Sequence, residues 1–245
     1  MEEDAGGDDL ERRERFGGRT VRERLIALKN DKGELGMRTR IVALLAAGLV
    51  AASAGVLVST DAFAGAAVTC SGNPGTLSGG TINANVNVPS GSWCHIANET
   101  INGDIRVAPG GGLFLDGSTV NGNVSATNPG SFGGFICAGA SGHFSVVVIG
   151  GTISGNVSVT GAPADVFVGG SFGCVGTSIQ KNLHVNNNSG LVQVANNTVG
   201  GDAGVDNNKG PVPVVANNTV TGNLSCSPST GAGNTAKHIY GTCTT

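Results

Sequence analysis

The side chains able to do chemistry are few in this sequence, and they stand apart. Beyond Ala64 the chain carries six carboxylates, Glu99, Asp104, Asp116, Asp165, Asp202 and Asp206, and four cations, Arg106, Lys181, Lys209 and Lys237. Hydrolysis of a glycosidic bond needs two carboxyl groups at a defined separation, and a calcium-assisted reaction needs several oxygen ligands converging on one ion. No Asp-Asp, Asn-Thr-Asp or Gly-His-Gly cluster is present, and Gly200-Gly201-Asp202-Ala203-Gly204-Val205-Asp206 departs from the Gly-Gly-x-Gly-x-Asp calcium repeat. His143, within Gly142-His143-Phe144, and His184, at an outward strand position, read as surface residues rather than bases. The expectation is a chain that is not an enzyme and holds no metal or cofactor. Its scattered cations also exclude nucleic acid as a partner, because few phosphate counterions would be released on contact.

Six cysteines, Cys70, Cys94, Cys137, Cys174, Cys226 and Cys243, all follow Ala64. That distribution fits an exported protein held by disulfides. Spacing alone chooses no connectivity; sequential pairing, Cys70 with Cys94, Cys137 with Cys174 and Cys226 with Cys243, is the expectation. The competing reading, a zinc site, lacks a Cys-x-x-Cys spacing and has its histidines apart.

What must position these residues is a repeat. Gly151-Thr152-Ile153-Ser154-Gly155-Asn156-Val157-Ser158-Val159 has copies that begin at Thr81, Thr100, Thr119, Ser178, Thr198 and Thr219, so successive starts advance by 19, 19, 33, 26, 20 and 21 residues. The period is about twenty with two insertions, the length of one solenoid coil. Within a unit Ile or Val alternates with polar residues, a Gly-Asn corner follows, and the alternation resumes. Side chains of a strand point to opposite faces, so the branched apolar residues face one interior and Thr, Asn and Ser the outside. Further short strands are expected around Leu113-Phe114-Leu115, Val146 to Ile149, Val166-Phe167-Val168, Leu191 to Val194 and Val212 to Val215. Asn85, Asp104, Asn123, Asn156, Asn182, Asp202 and Asn223 fall at equal positions and should form a polar ladder along one corner, each bonded to the rung above or below. Seven rungs at about 4.8 Å give a rod about 35 Å long. Residues 65–80 read as an irregular cap over the first rung and residues 227–245 as the second cap.

From about Thr81 to Cys226 the chain resembles a right-handed parallel β-helix, pectate-lyase-like in architecture. Its [Thr/Ser]-[Ile/Val]-x-Gly-Asn-[Val/Leu]-x-Val units with paired cysteines are similar to small exported β-helix proteins of unknown function from high-GC Gram-positive bacteria. The resemblance implies an all-β solenoid of about seven rungs with disulfide-stapled caps. The wider superfamily includes pectate lyases and polygalacturonases, so it also implies polysaccharide as a candidate partner and makes polysaccharide processing the alternative reading.

The two long intervals share a phrase, Gly130-Ser131-Phe132-Gly133 and Gly170-Ser171-Phe172-Gly173, and contain Cys137 and Cys174. Stacking should set the insertions side by side. Phe132, Phe135, Phe144, Phe167 and Phe172 gather there, and Phe132, Phe135, His143 and Phe172 are the candidate binding residues, since loops on a rigid scaffold carry function. The competing reading is a satellite core under long loops. A third candidate surface is an outward threonine ladder, Thr81, Thr100, Thr119, Thr152, Thr198 and Thr219, flat enough to dock on ice or glycan.

Ahead of the repeats, Met37-Arg38-Thr39-Arg40, the apolar run Ile41 to Val58 and Ala62-Phe63-Ala64 have the order of a secretory signal. Cleavage is expected after Ala64, leaving no permanent membrane span. A single anchor is the alternative, as the run nears the roughly 20 apolar residues that cross a bilayer. Residues 1–36 read as a non-native or disordered extension, because Lys32-Gly33-Glu34 is encodable as a ribosome-binding site upstream of Met37. Domain organisation is then 1–36 extension, 37–64 signal, and 65–245 one β-helix domain with repeats over 81–226. The function expected is that of a secreted or cell-surface structural or binding protein, with cell-wall or extracellular polysaccharide as candidate partner. Nothing in the pattern sets an oligomeric state.

Overall fold

The computed structural model describes residues 66–139, 141–170, 173–211 and 213–243. The extension 1–36, the signal segment 37–64 with its cleavage position, and the candidate binder Phe172 lie outside the described residues. What is described is all-β, with a single 3-10 turn at Cys137–Gly139 and no helix long and apolar enough to cross a membrane.

The chain winds as a parallel β-helix. Each coil lays down three short strands, one in each of three sheets. The first coil is Val68–Thr69, Gly75–Ser78 and Thr81–Ile82; the seventh is Ala203–Asp206, Val214–Ala216 and Thr219–Val220. The first sheet then gains Asn223–Ser227 and His238–Gly241. Pairing between coils is parallel throughout, and the registers repeat the sequence offsets: Thr81 with Thr100, Thr100 with Thr119, Thr119 with Thr152, Thr152 with Ser178, Ser178 with Thr198 and Thr198 with Thr219. The coil therefore absorbs the 33- and 26-residue intervals without losing register. The stretch expected as an N-terminal cap instead supplies two strands of the first coil, which small and polar residues concealed.

The interior follows the alternation. Val86, Ile105, Val124, Val157, Leu183 and Leu224 stack beneath the first sheet, Leu113, Val146, Val166 and Val192 beneath the second, and Ile101, Val120, Ile153, Ile179 and Val199 beneath the third, all essentially sealed from solvent. Each such side chain contributes about 2 kcal/mol of burial. The three disulfides are Cys70–Cys94, Cys137–Cys174 and Cys226–Cys243, the sequential set.

Corners carry the polar groups. The ladder between the third and first sheets forms as expected: the main-chain N–H of Asp104, Asn123, Asn156, Asn182, Asp202 and Asn223 each donates to the side-chain oxygen of the coil before it, at 2.7 to 3.1 Å. Two further ladders run inside. Between the second and third sheets Thr177 N–H donates to Asn197, Asn197 to Asn218 and Asn218 to Asn234. Between the first and second sheets Ala162 N–H donates to Asn188 and Asn188 to Asn208. These asparagines are buried, and their amides also reach strand carbonyls, Val168, Val194, Val215 and Val185. The residue ahead of each buried asparagine in the doublets 187–188, 196–197, 207–208 and 217–218 is an asparagine at positive φ, 54° to 59°. It turns the chain in the left-handed region that asparagine tolerates, and its neighbour is thereby aimed inward.

Candidate functional site

One element departs from the coil. In the fourth coil the chain leaves the first sheet at Val124–Thr127, forms Phe132–Phe135, turns through Cys137–Gly139 and returns along Ser141–Ile149, whose last residues are the coil's strand in the second sheet. Phe132–Phe135 pairs antiparallel with Ser141–Phe144, the only antiparallel pairing among the described strands. A bulge between Phe144 and Val146 shifts the alternation there, so Phe144 joins Val147 and Ile149 on the outer face instead of Val146 and Val148 inside.

The hairpin lies across the outer face of the second sheet. At one edge the Phe132 ring stacks on Trp93, centroids 4.6 Å apart and planes within 9°. A β-carbon on Gly112 would stand 2.6 Å from Phe132 Cδ1, so only glycine admits the ring there. At the other edge Cys137 is bonded to Cys174, Cα atoms 5.1 Å apart, and both line a cavity of about 250 Å³ with Asp116, Ile149 and Val175. Between the edges Phe132, Ile136, Phe144, Val147, Ile149 and Phe167 form a second apolar core outside the solenoid. Phe144 meets Phe167 edge-on at 5.5 Å, a favoured aromatic geometry.

The two insertions therefore meet, but not by stacking at one corner. The first leaves between the first and second sheets, the second between the second and third, and the hairpin crosses the intervening face to join them. Among the candidate binders, Phe132 is only 5% exposed and belongs to the satellite core, while Phe135 is 72% exposed. His143 is exposed too. The hairpin register puts Phe135 opposite Ser141 and His143 opposite Gly133, so the two share the outer face one diagonal step apart. Val175, also 72% exposed, follows Cys174 directly. Neither Val175 nor Trp93 stood out in the sequence; the signal for Trp93 was its being the only tryptophan.

Most of the carboxylates are engaged in hydrogen bonds of the fold. Glu99 is buried and accepts from Gly80 N–H, Asp165 from Leu191 N–H, Asp202 from Asn223 N–H and Asp206 from the Ser225 hydroxyl. Asp104 accepts from Asn123 N–H at 2.9 Å and pairs with Arg106 at 2.9 Å. The Asn123 N–H above all, with further help from Arg106, holds its carboxyl below the usual range, outweighing the opposing effect of partial burial. His184 faces solvent, while His95 stacks on Phe114 at 4.7 Å. Among the described residues no three His, Cys, Asp or Glu side chains gather as a metal-holding group.

No family model, no curated protein and no solved structure matches this chain. What the chain has is the architecture of a parallel β-helix, three sheets of stacked parallel strands.

Proposed function

We propose that this protein is an exported, non-catalytic binding protein, a rigid solenoid whose stapled hairpin recognises cell-wall or extracellular polysaccharide. The observation that carries the reading is the placement of Phe135 and Val175. They are the two most exposed large apolar side chains among the described residues, and they flank the disulfide that joins the hairpin, fastened by its own core, to the second insertion. Exposed apolar groups held rigidly on a surface mark contact sites, and order in the free state reduces the entropy lost on binding. Three disulfides favour an oxidising compartment, in keeping with the signal-like segment. Five of the six carboxylates are engaged in hydrogen bonds of the fold, which supports a non-catalytic role. The test is retention of the oxidised protein on insoluble cellulose, xylan, chitin and peptidoglycan, with reducing ends and unsaturated products followed in the same wells. Retention without product is expected; product formation would overturn the non-catalytic reading.

A second reading is favoured by the third sheet, where Thr81, Thr100, Thr119, Thr152, Ser178, Thr198, Thr219 and Thr235 stand in one register. Beside them Asn121 donates to Asn102 and Asn102 to Asn83, each at 2.6 Å. Such a flat hydroxyl array would dock on a regular surface such as ice, and inhibition of ice recrystallisation by the purified protein would favour it over the hairpin.

A further inference from the structure

At the hairpin's opposite end, the corner between the first and second sheets opens into a cavity of about 310 Å³ lined by Trp93, Phe132, Ser92, Ser131, Asn73 and the backbone of Gly110. Trp93 is half-buried and lies flat on Phe132. The Asn73 amide donates to the Gly91 carbonyl at 3.3 Å, so its own carbonyl oxygen is turned elsewhere. The hydroxyls of Ser92 and Ser131, the indole N–H and that carbonyl oxygen have no hydrogen-bond partner among the described residues. An aromatic wall with a few uncommitted polar groups is the composition of a small-molecule site. Here those groups are two hydroxyls, one N–H donor and one carbonyl acceptor, able to meet the alternating donors and acceptors of a sugar. No charged side chain lines the cavity, so a uronate or phosphate would be desolvated without a counter-ion.

We infer that this cavity is a subsite for one neutral pyranose unit, with a C–H face of the sugar on the Trp93 indole and its hydroxyls on Ser92, Ser131 and Asn73. The inference rests on the polysaccharide reading and adds to it a second contact point, at the edge of the sheet away from Phe135 and Val175.

Trp93 is the chain's single tryptophan, so its fluorescence reports the site directly. The oxidised protein is titrated with cellobiose, xylobiose, chitobiose and digalacturonate. A saturable change in Trp93 emission is expected with at least one neutral disaccharide, weakened about fivefold or more in Ser131→Ala and in Asn73→Ala by loss of one hydrogen bond each, and unchanged in Lys181→Ala, at an exposed position of the solenoid. No saturable response to any neutral disaccharide overturns the subsite, and an equal response to digalacturonate overturns its neutrality. If polymers retain the protein while Trp93 is silent, only the subsite falls. A responding Trp93 without any polymer retention removes the hairpin reading and keeps the subsite, and silence in both assays removes both.

Discussion

Asn218 Oδ1 accepts two hydrogen bonds from Asn197, one from its main-chain N–H and one from its side-chain amide, each 3.0 Å long, at a depth where the two residues are 1% and 2% exposed. Asn218 in turn donates to the Val194 carbonyl at 2.8 Å and to Asn234. A buried polar group without its partner loses its hydration for nothing in return. Asn218→Ala orphans several such groups at once and should cost about 3 kcal/mol or more, on the order of 1 kcal/mol each. Asn156→Ala, in the exposed ladder where water can replace the amide, should cost less than about 1 kcal/mol. Urea unfolding of the two variants checks this; equal losses would show that the inner ladder has no special weight.

The hairpin has its own core and its own disulfide, so it should open without the solenoid. Closing the loop between Cys137 and Cys174, separated by 37 residues, is worth about 4 kcal/mol in the chain-entropy account. In Cys137→Ser/Cys174→Ser that loss should fall on local opening: a protease should cut within 130–140 at least tenfold faster, while far-UV dichroism stays unchanged. Simultaneous loss of the β signal would show that hairpin and solenoid unfold as one.

Gly112→Val should expel Phe132 from its place on Trp93, because the added β-carbon already meets the ring. The expected result is loss of the near-UV tryptophan band and a cost of about 2 kcal/mol, with the far-UV spectrum retained. An unchanged near-UV spectrum would contradict the stacking.

Asp104 gives a pH signature. Its folded pKa is lowered, first by the Asn123 N–H and then by Arg106, so its contribution is present above the ordinary carboxylate pKa of the unfolded chain and is lost as pH falls through the folded value. The group is part-exposed, so the effect is modest. Asp104→Asn, which keeps the ladder acceptor used by Asn123, should flatten the fall in melting temperature below pH 4 or so while leaving neutral stability nearly unchanged. A steeper acid fall in the variant would contradict the assigned cause.

Much of the scaffold was legible because a coil repeats its own grammar. The Thr-Ile and Gly-Asn phrases located the third sheet and the exposed ladder to the residue, through intervals of 33 and 26 as well as 19. The inner ladders were not read, although the doublets Asn187-Asn188, Asn196-Asn197, Asn207-Asn208 and Asn217-Asn218 announce them. Polar residues are assigned outward by default, and only the positive φ of the first asparagine sends the second inside. The hairpin's path was hidden for a different reason. A long interval says that residues are added, not at which corner, and the bulge at Phe144 and Val146 reverses the side on which alternation places the aromatics. Phe132 therefore faces the satellite core and the corner cavity, whereas Phe135, on the same strand, points to solvent.

The most direct measurement compares three proteins on the polymer that retains the wild type: the wild type itself, Phe135→Ser/Val175→Ser at the disulfide that joins the hairpin to the second insertion, and Thr119→Lys/Thr152→Lys on the third sheet. All four positions lie at the surface or on outward strand faces, so folding should be preserved and is confirmed by dichroism. The account predicts at least tenfold weaker retention for the hairpin variant and wild-type retention for the threonine variant. Unchanged retention of the hairpin variant, or loss confined to the threonine variant, would contradict it.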